Sequence, residues 1–143
     1  MVYTAFSPLP SKEKENTYYF LAGSIDFKAS NPWRESFYKN SNEFIHFFDP
    51  TRPDHDLLKD EEMKQHINWE LDALELADKI FLNFLSEAKS PISLVELGLY
   101  SKSGKLVVIC PYDFYQYRYV ETLCEKHDIP LFQKLEKVKF YFV

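Results

Sequence analysis

The sequence predicts an α/β fold, a parallel sheet covered on both sides by helices. Short apolar runs of strand length at residues 18–22, 45–48, 79–84 and 105–110 alternate with longer segments of helical period. Several of these runs are continuously apolar rather than alternating, the pattern of strands buried on both faces. Strands separated by helices build βαβ units, and right-handed crossovers make such units into a parallel sheet.

Taken in order, residues 1–17 combine Pro8, Pro10 and Ser11 with the charged run Lys12-Glu13-Lys14-Glu15 and show no period. That reads as a flexible N-terminal segment ahead of a single domain at residues 18–143. The first strand, at 18–22, is closed by Gly23-Ser24. A loop from Asp26 to Pro32 leads to a helix over residues 33–41, where Trp33, Phe37 and Tyr38 recur at helical spacing. The second strand, at 45–48, ends in Asp49-Pro50-Thr51-Arg52-Pro53-Asp54, whose two prolines forbid ladder bonding and favour a fixed, extended path. Residues 61–77 form the longest helix, with Met63, Ile67, Leu71, Leu74 and Ala77 in one apolar stripe.

The third strand spans residues 79–84. Ser90-Pro91 then starts a helix, with serine suited to the N-cap and proline to the first helical position. Residues 105–110 are a fourth strand stopped by Pro111. Residues 114–127 are an aromatic-rich helix, read as core or subunit contact, and 129–132 are a fifth strand. Residues 138–142 alternate like an edge strand.

Composition narrows the function. A chain of 143 residues suits one domain, and 45% apolar residues with only three glycines imply a real core. The net charge of −5 and the lack of clustered Lys/Arg argue against a nucleic-acid partner and favour a small molecule. Cys110 and Cys124 lack metal-ligand spacing and read as buried, reduced thiols, which with the absence of a signal-like or membrane-spanning run points to a cytoplasmic protein. Phosphate-binding glycine loops, the nucleophile elbow and His/Cys metal clusters are all absent; His46, His55, His66 and His127 are scattered. Neither metal nor cofactor is expected.

What remains is a pair of carboxylates on apolar helix faces. At about 100° per residue, Glu96 falls among Ile92, Val95 and Leu99, and Glu70 lies within the stripe of the longest helix. A glutamate so placed must be paired, protonated or used. In parallel sheets ligands bind beyond the carboxyl ends of the strands, near the switch in strand order. That edge collects Gly23, Ser24 and Asp26, then Asp49 and Arg52, then Asn83, with Ser90 and Ser93 at the start of the glutamate helix. Paired carboxylates of this kind break glycosidic bonds, one attacking the sugar carbon while another group manages the leaving group's proton.

Four ordered pieces also carry a family resemblance: Phe20-Leu21-Ala22-Gly23-Ser24-Ile25, Asp49-Pro50-Thr51-Arg52-Pro53, Trp69-Glu70 with Ala77-Asp78, and Ser90-Pro91-Ile92-Ser93-Leu94-Val95-Glu96-Leu97-Gly98. In this order they resemble the nucleoside 2-deoxyribosyltransferase-like proteins, a superfamily that includes nucleoside monophosphate N-glycosidases. The resemblance implies a flavodoxin-like, Rossmann-like three-layer sandwich with a five-stranded parallel sheet, to which the 138–142 segment would add a C-terminal edge strand. It implies a homo-oligomer in which a neighbouring subunit often completes the site.

By the same resemblance Glu96 is the nucleophile that forms a covalent glycosyl-enzyme intermediate. Glu70 stands where the family usually has an aspartate that contacts or protonates the base. Ser90 matches the contact to the sugar's 5′ substituent and leans toward a phosphate, whereas Asp26 stands where the hydrolases carry a basic residue. Arg34 and Arg52 are the candidate cations. Two other classes stay open: a non-catalytic nucleotide-binding or sensing module of the same fold, and an interaction domain in which both glutamates are structural.

Overall fold

The computed structural model describes residues 1–24, 33–39 and 41–142, with residues 139–142 by backbone alone. Strands β1 (Val2–Tyr3), β2 (Thr17–Gly23), β3 (Ile45–Phe48), β4 (Lys79–Asn83), β5 (Leu106–Ile109) and β6 (Leu131–Phe132) form one sheet in the order β1-β3-β2-β4-β5-β6. Every neighbouring pair is parallel. Helices α1 (Trp33–Tyr38), α2 (Asp60–Leu76), α3 (Pro91–Tyr100) and α4 (Tyr117–Lys126) make the crossovers. This is the three-layer, flavodoxin-like arrangement. Its switch in strand order falls at β2, which is flanked by β3 on one side and β4 on the other.

The strand pattern explains the layers. Along β2, Tyr18, Phe20 and Ala22 face one buried cluster with Phe48, Leu74, Ile80, Leu82 and Leu97. Tyr19 and Leu21 face a second with Trp33, Phe37, Phe47, Phe81 and Val107. Successive side chains point to opposite faces, so a strand buried on both sides must be apolar at every position. The thiols of Cys110 and Cys124 are buried in the first cluster, and burial pushes them up to about 12 and about 11.

The ends of the chain differ from expectation. The sixth strand comes from the N-terminal segment, where Val2 and Tyr3 pair with Phe47 and Phe48. At the other end, Leu135–Phe142 winds as a 3-10 helix and not as an edge strand. Val138 is buried beneath the second face of the sheet, so the alternation there marks a covering turn.

The apolar stripes of α2 and α3 also sit differently. α3 buries Ser93, Glu96, Leu97 and Tyr100, whereas Ile92, Val95 and Leu99 are 63%, 62% and 59% exposed. α2 buries His66, Ala73 and Leu74, and leaves Ile67 and Leu71 each 45% exposed. The periodicity identifies two amphipathic helices; in α3 the stripe is the outer face, whereas of the stripe along α2 Leu74 and Ala77 reach the core and Ile67 and Leu71 do not.

Candidate active site

A cavity of about 400 Å³ opens at the carboxyl end of β2, within the range of small-molecule sites. Its floor is Phe20, Ala22, Gly23 and Ser24, and its walls are α2 from Met63 to Leu74 and α3 from Pro91 to Leu99. The described lining contains two acids, Glu70 and Glu96, two histidines, His55 and His66, and neither lysine nor arginine. Apolar side chains of Met63, Ile67, Leu71, Ile92, Val95 and Leu99 surround this polar centre.

Glu96 is 8% exposed, and among the described residues its carboxylate takes part in neither a hydrogen bond nor an ion pair. Burial pushes it up to about 8, with the neighbouring negative charge of Glu70 adding to the rise and Arg34 opposing it. Burial likewise raises Glu70 to about 7, again opposed by Arg34. Two carboxyls displaced in this way titrate as a pair, and the protons belong to the pair rather than to either residue. Around neutral pH the site therefore passes through a state with one proton between two carboxyls.

Arg34 is the buried cation behind them. Its Nε donates to the Leu21 carbonyl at 3.0 Å and its Nη2 to the Gly23 carbonyl at 3.2 Å, while Asp49 Oδ1 lies 3.8 Å from Nε. The guanidinium also stacks 4.4 Å from the Trp33 ring. Arg52 is equally committed: it forms a bidentate pair with Asp54, at 2.6 and 2.9 Å, and lies over Phe6. Neither candidate cation is among the described residues that line the cavity.

Ser90 contributes in a way the sequence does not reveal. It precedes α3 in the left-handed region, at φ 52°, and makes no side-chain cap bond. Ser90 thus holds the expected N-cap position, with its carbonyl accepting from the Leu94 amide, but without the expected side-chain cap. A residue before proline normally goes extended, and a non-glycine residue in this region is strained. Its Oγ is buried without a hydrogen-bond partner among the described residues, and the residue lines the cavity.

Of the residues expected at the site, the cavity lining brings together Gly23, Ser24, Glu70, Ser90, Ser93 and Glu96. Asp49 does not line it. Its carboxylate accepts from the Thr51 amide and hydroxyl and from the Tyr38 hydroxyl, shaping the loop behind the site. Arg52 is likewise outside, and Asn83 ends β4 opposite Gly23 without reaching the lining. Asp26 lies outside the described residues.

The structure adds His55 and His66. A 3-10 turn at His55–Leu57 sets the His55 ring edge-on to His66, with centroids 5.4 Å apart. His66 Nε2 lies 3.1 Å from Glu70 Oε1. The spacing of His66 and Glu70, four residues apart on one helix, was the available sequence signal.

A larger depression of about 880 Å³ runs along α4, lined by Tyr112, Tyr115, Tyr117, Arg118, Tyr119 and Lys126 among others. It holds no carboxylate and is far less suited to bond cleavage. The expectation for this aromatic run holds in part: Phe114 is buried in the core, whereas Tyr112 and Tyr119 are largely exposed. Among the described residues no helix is long and apolar enough to cross a membrane.

Residues 17–114 match the model of a family described as nucleoside 2-deoxyribosyltransferase like. No curated protein matches the chain.

Proposed function

The chain belongs to the nucleoside 2-deoxyribosyltransferase-like family, and from that premise we propose that it cleaves or exchanges the N-glycosidic bond of nucleosides, with Glu96 as nucleophile and Glu70 as proton donor. The observation that carries this reading is the pair of inward glutamates, both raised toward neutrality, in one apolar-walled cavity at the switch point of the sheet.

The reactive state is the tautomer in which Glu96 is ionised and Glu70 holds the proton; Glu96, raised further than Glu70, gives up its proton to reach it. The Glu96 carboxylate attacks C1′, so that a C1′–O ester bond forms as the C1′–N bond breaks. Glu70 delivers its proton to the departing base. Water or a second base then attacks C1′, the bond to Glu96 breaks, and Glu70 takes back a proton. Burial strips water from the Glu96 carboxylate and raises its affinity for an electrophile as it does for a proton; attack neutralises Glu96 as an ester, and the negative charge passes to Glu70 as its proton leaves.

Between nucleosides and their 5′-monophosphates, the uncharged substrates fit better. The described lining has two acids and no lysine or arginine, and Arg34 and Arg52 are held by other partners. Ser90 Oγ is a neutral donor and acceptor suited to a 5′-hydroxyl. The exposed apolar rim of Ile67, Leu71, Ile92, Val95 and Leu99 suits a second copy of the chain seated over the cavity mouth.

The test is a panel of nucleosides and 5′-monophosphates, with and without an acceptor base, read as free base by chromatography. Base release from nucleosides in preference to their monophosphates, abolished by Glu96→Ala, is the expected result. Full release by Glu96→Ala excludes the mechanism. Thermal stabilisation by a nucleoside with no turnover identifies a binding module instead.

A further inference from the structure

His66 is among the most enclosed polar residues of the cavity wall. Its side chain is 1% exposed, and neither ring nitrogen makes a hydrogen bond among the described residues. A buried imidazole left unpaired is costly, and such groups call for an explanation. Two observations supply one. Nε2 is only 3.1 Å from Glu70 Oε1, off the direction a hydrogen bond requires. The terminal torsion of a glutamate is soft, so a small turn of the Glu70 carboxyl closes the bond. Catalytic hydrogen bonds are often loosely aligned before substrate binds.

The charged and titratable groups around the ring define its state. His55 packs against it from the 3-10 turn, Arg52 and Asp54 act on it from the preceding loop, and Glu70 follows it on α2. Burial lowers its proton affinity first, and neighbouring His55 and Arg52 lower it further, against Asp54. The ring is therefore neutral, with one N–H to give, and its contact with Glu70 is a hydrogen-bonding contact rather than an ion pair.

We propose that His66 is a positioning residue for Glu70: its Nε2–H donates to Oε1 and so holds the carboxylic proton on Oε2, the oxygen left to reach the leaving base. The inference rests on the glycosyl-transfer reading. Both oxygens of a carboxyl can carry the proton, and only one orientation delivers it. A donor fixed to one oxygen selects that orientation, much as a hydrogen-bonded carboxylate fixes the tautomer of a catalytic histidine.

The experiment compares His66→Phe and His66→Gln on two substrates. One is an ordinary purine nucleoside. The other is the same nucleoside methylated at N7, whose cationic base departs without receiving a proton. His66→Phe should lower kcat on the ordinary nucleoside by about tenfold to a hundredfold, with KM nearly unchanged, and have little effect on the methylated one. His66→Gln, whose amide still donates, should restore most of the loss. Equal losses on both substrates, or no loss on either, overturn the proposal. Should His66→Phe not fold, His66→Asn, too short to reach Glu70, makes the same comparison.

Glu96→Ala separates the two claims. Retained base release rejects the nucleophile, whereas abolished release without substrate discrimination by the His66 variants rejects only the positioning role. Independently of turnover, the Glu70 carboxyl followed by carbon NMR should titrate at higher pH in His66→Phe, because a donor to the ionised form has been lost. An unchanged midpoint also overturns the proposal.

Discussion

Arg34 Nη2 donates to the Gly23 carbonyl at 3.2 Å, across the end of β2 from the cavity floor. This bond engages the buried guanidinium, and close packing around Gly23 accounts for the glycine. A Cβ on Gly23 would meet the Asn83 carbonyl oxygen and the Trp33 ring, each at 2.9 Å. One of those is backbone of the neighbouring strand and cannot rotate away.

Gly23→Ala should therefore destabilise the protein by about 1–3 kcal/mol, the usual cost of overpacking. It should also lower turnover by displacing Arg34 from its place behind the two glutamates. Urea unfolding alongside the nucleoside assay checks both. A loss below about 0.5 kcal/mol, the range of an ordinary surface change, would show that β2 and β4 separate more easily than their register implies.

The helix faces explain what could and could not be read from the sequence. The periodicities of β2, β3, β4 and β5 gave their positions within a residue or two, because a doubly buried strand is unmistakably apolar. The amphipathic character of α2 and α3 was equally plain. What periodicity cannot say is what covers an apolar stripe: the core, or something outside the chain. Ile92, Val95 and Leu99 cover the outside, and Glu96 lies at the boundary, facing the cavity. The left-handed backbone at Ser90 was hidden for a related reason, since serine before proline at a helix start reads as an ordinary cap. His66 was overlooked because the histidines were weighed as a metal set and not as partners of a nearby acid.

The outer stripe makes a prediction of its own. Five large apolar side chains, Ile67, Leu71, Ile92, Val95 and Leu99, are between 45% and 63% exposed on two adjacent helices. A patch of this kind, continuous with the mouth of a site, suits burial against a second copy of the chain. Sedimentation should show a dimer or larger assembly for the native chain, with Val95→Glu and Leu99→Glu shifting it to monomer. A monomeric native chain would remove the second copy from the proposal. Because these side chains also line the cavity, the monomeric variants should bind nucleosides more weakly.

The last prediction concerns pH, and its sign follows from the buried acids. Glu96 moves from 4.5 to about 8 on folding and Glu70 from 4.5 to about 7. An acid whose proton is held more tightly in the folded state contributes stability that is fully present below its unfolded value. That contribution is lost as pH rises through the folded value. The native chain should therefore weaken between about pH 5 and pH 9, by an amount on the order of a few kcal/mol. Glu96→Gln keeps the shape and removes the titration. Its stability relative to the native chain should be near parity at pH 5 and clearly higher at pH 9, as measured by urea unfolding at both. Groups that titrate independently of Glu96 contribute equally to both proteins and cancel in the comparison. A Glu96→Gln difference that is the same at both pH values would place the Glu96 carboxyl in water rather than in the apolar cavity, and the nucleophile would lose the burial that favours its attack.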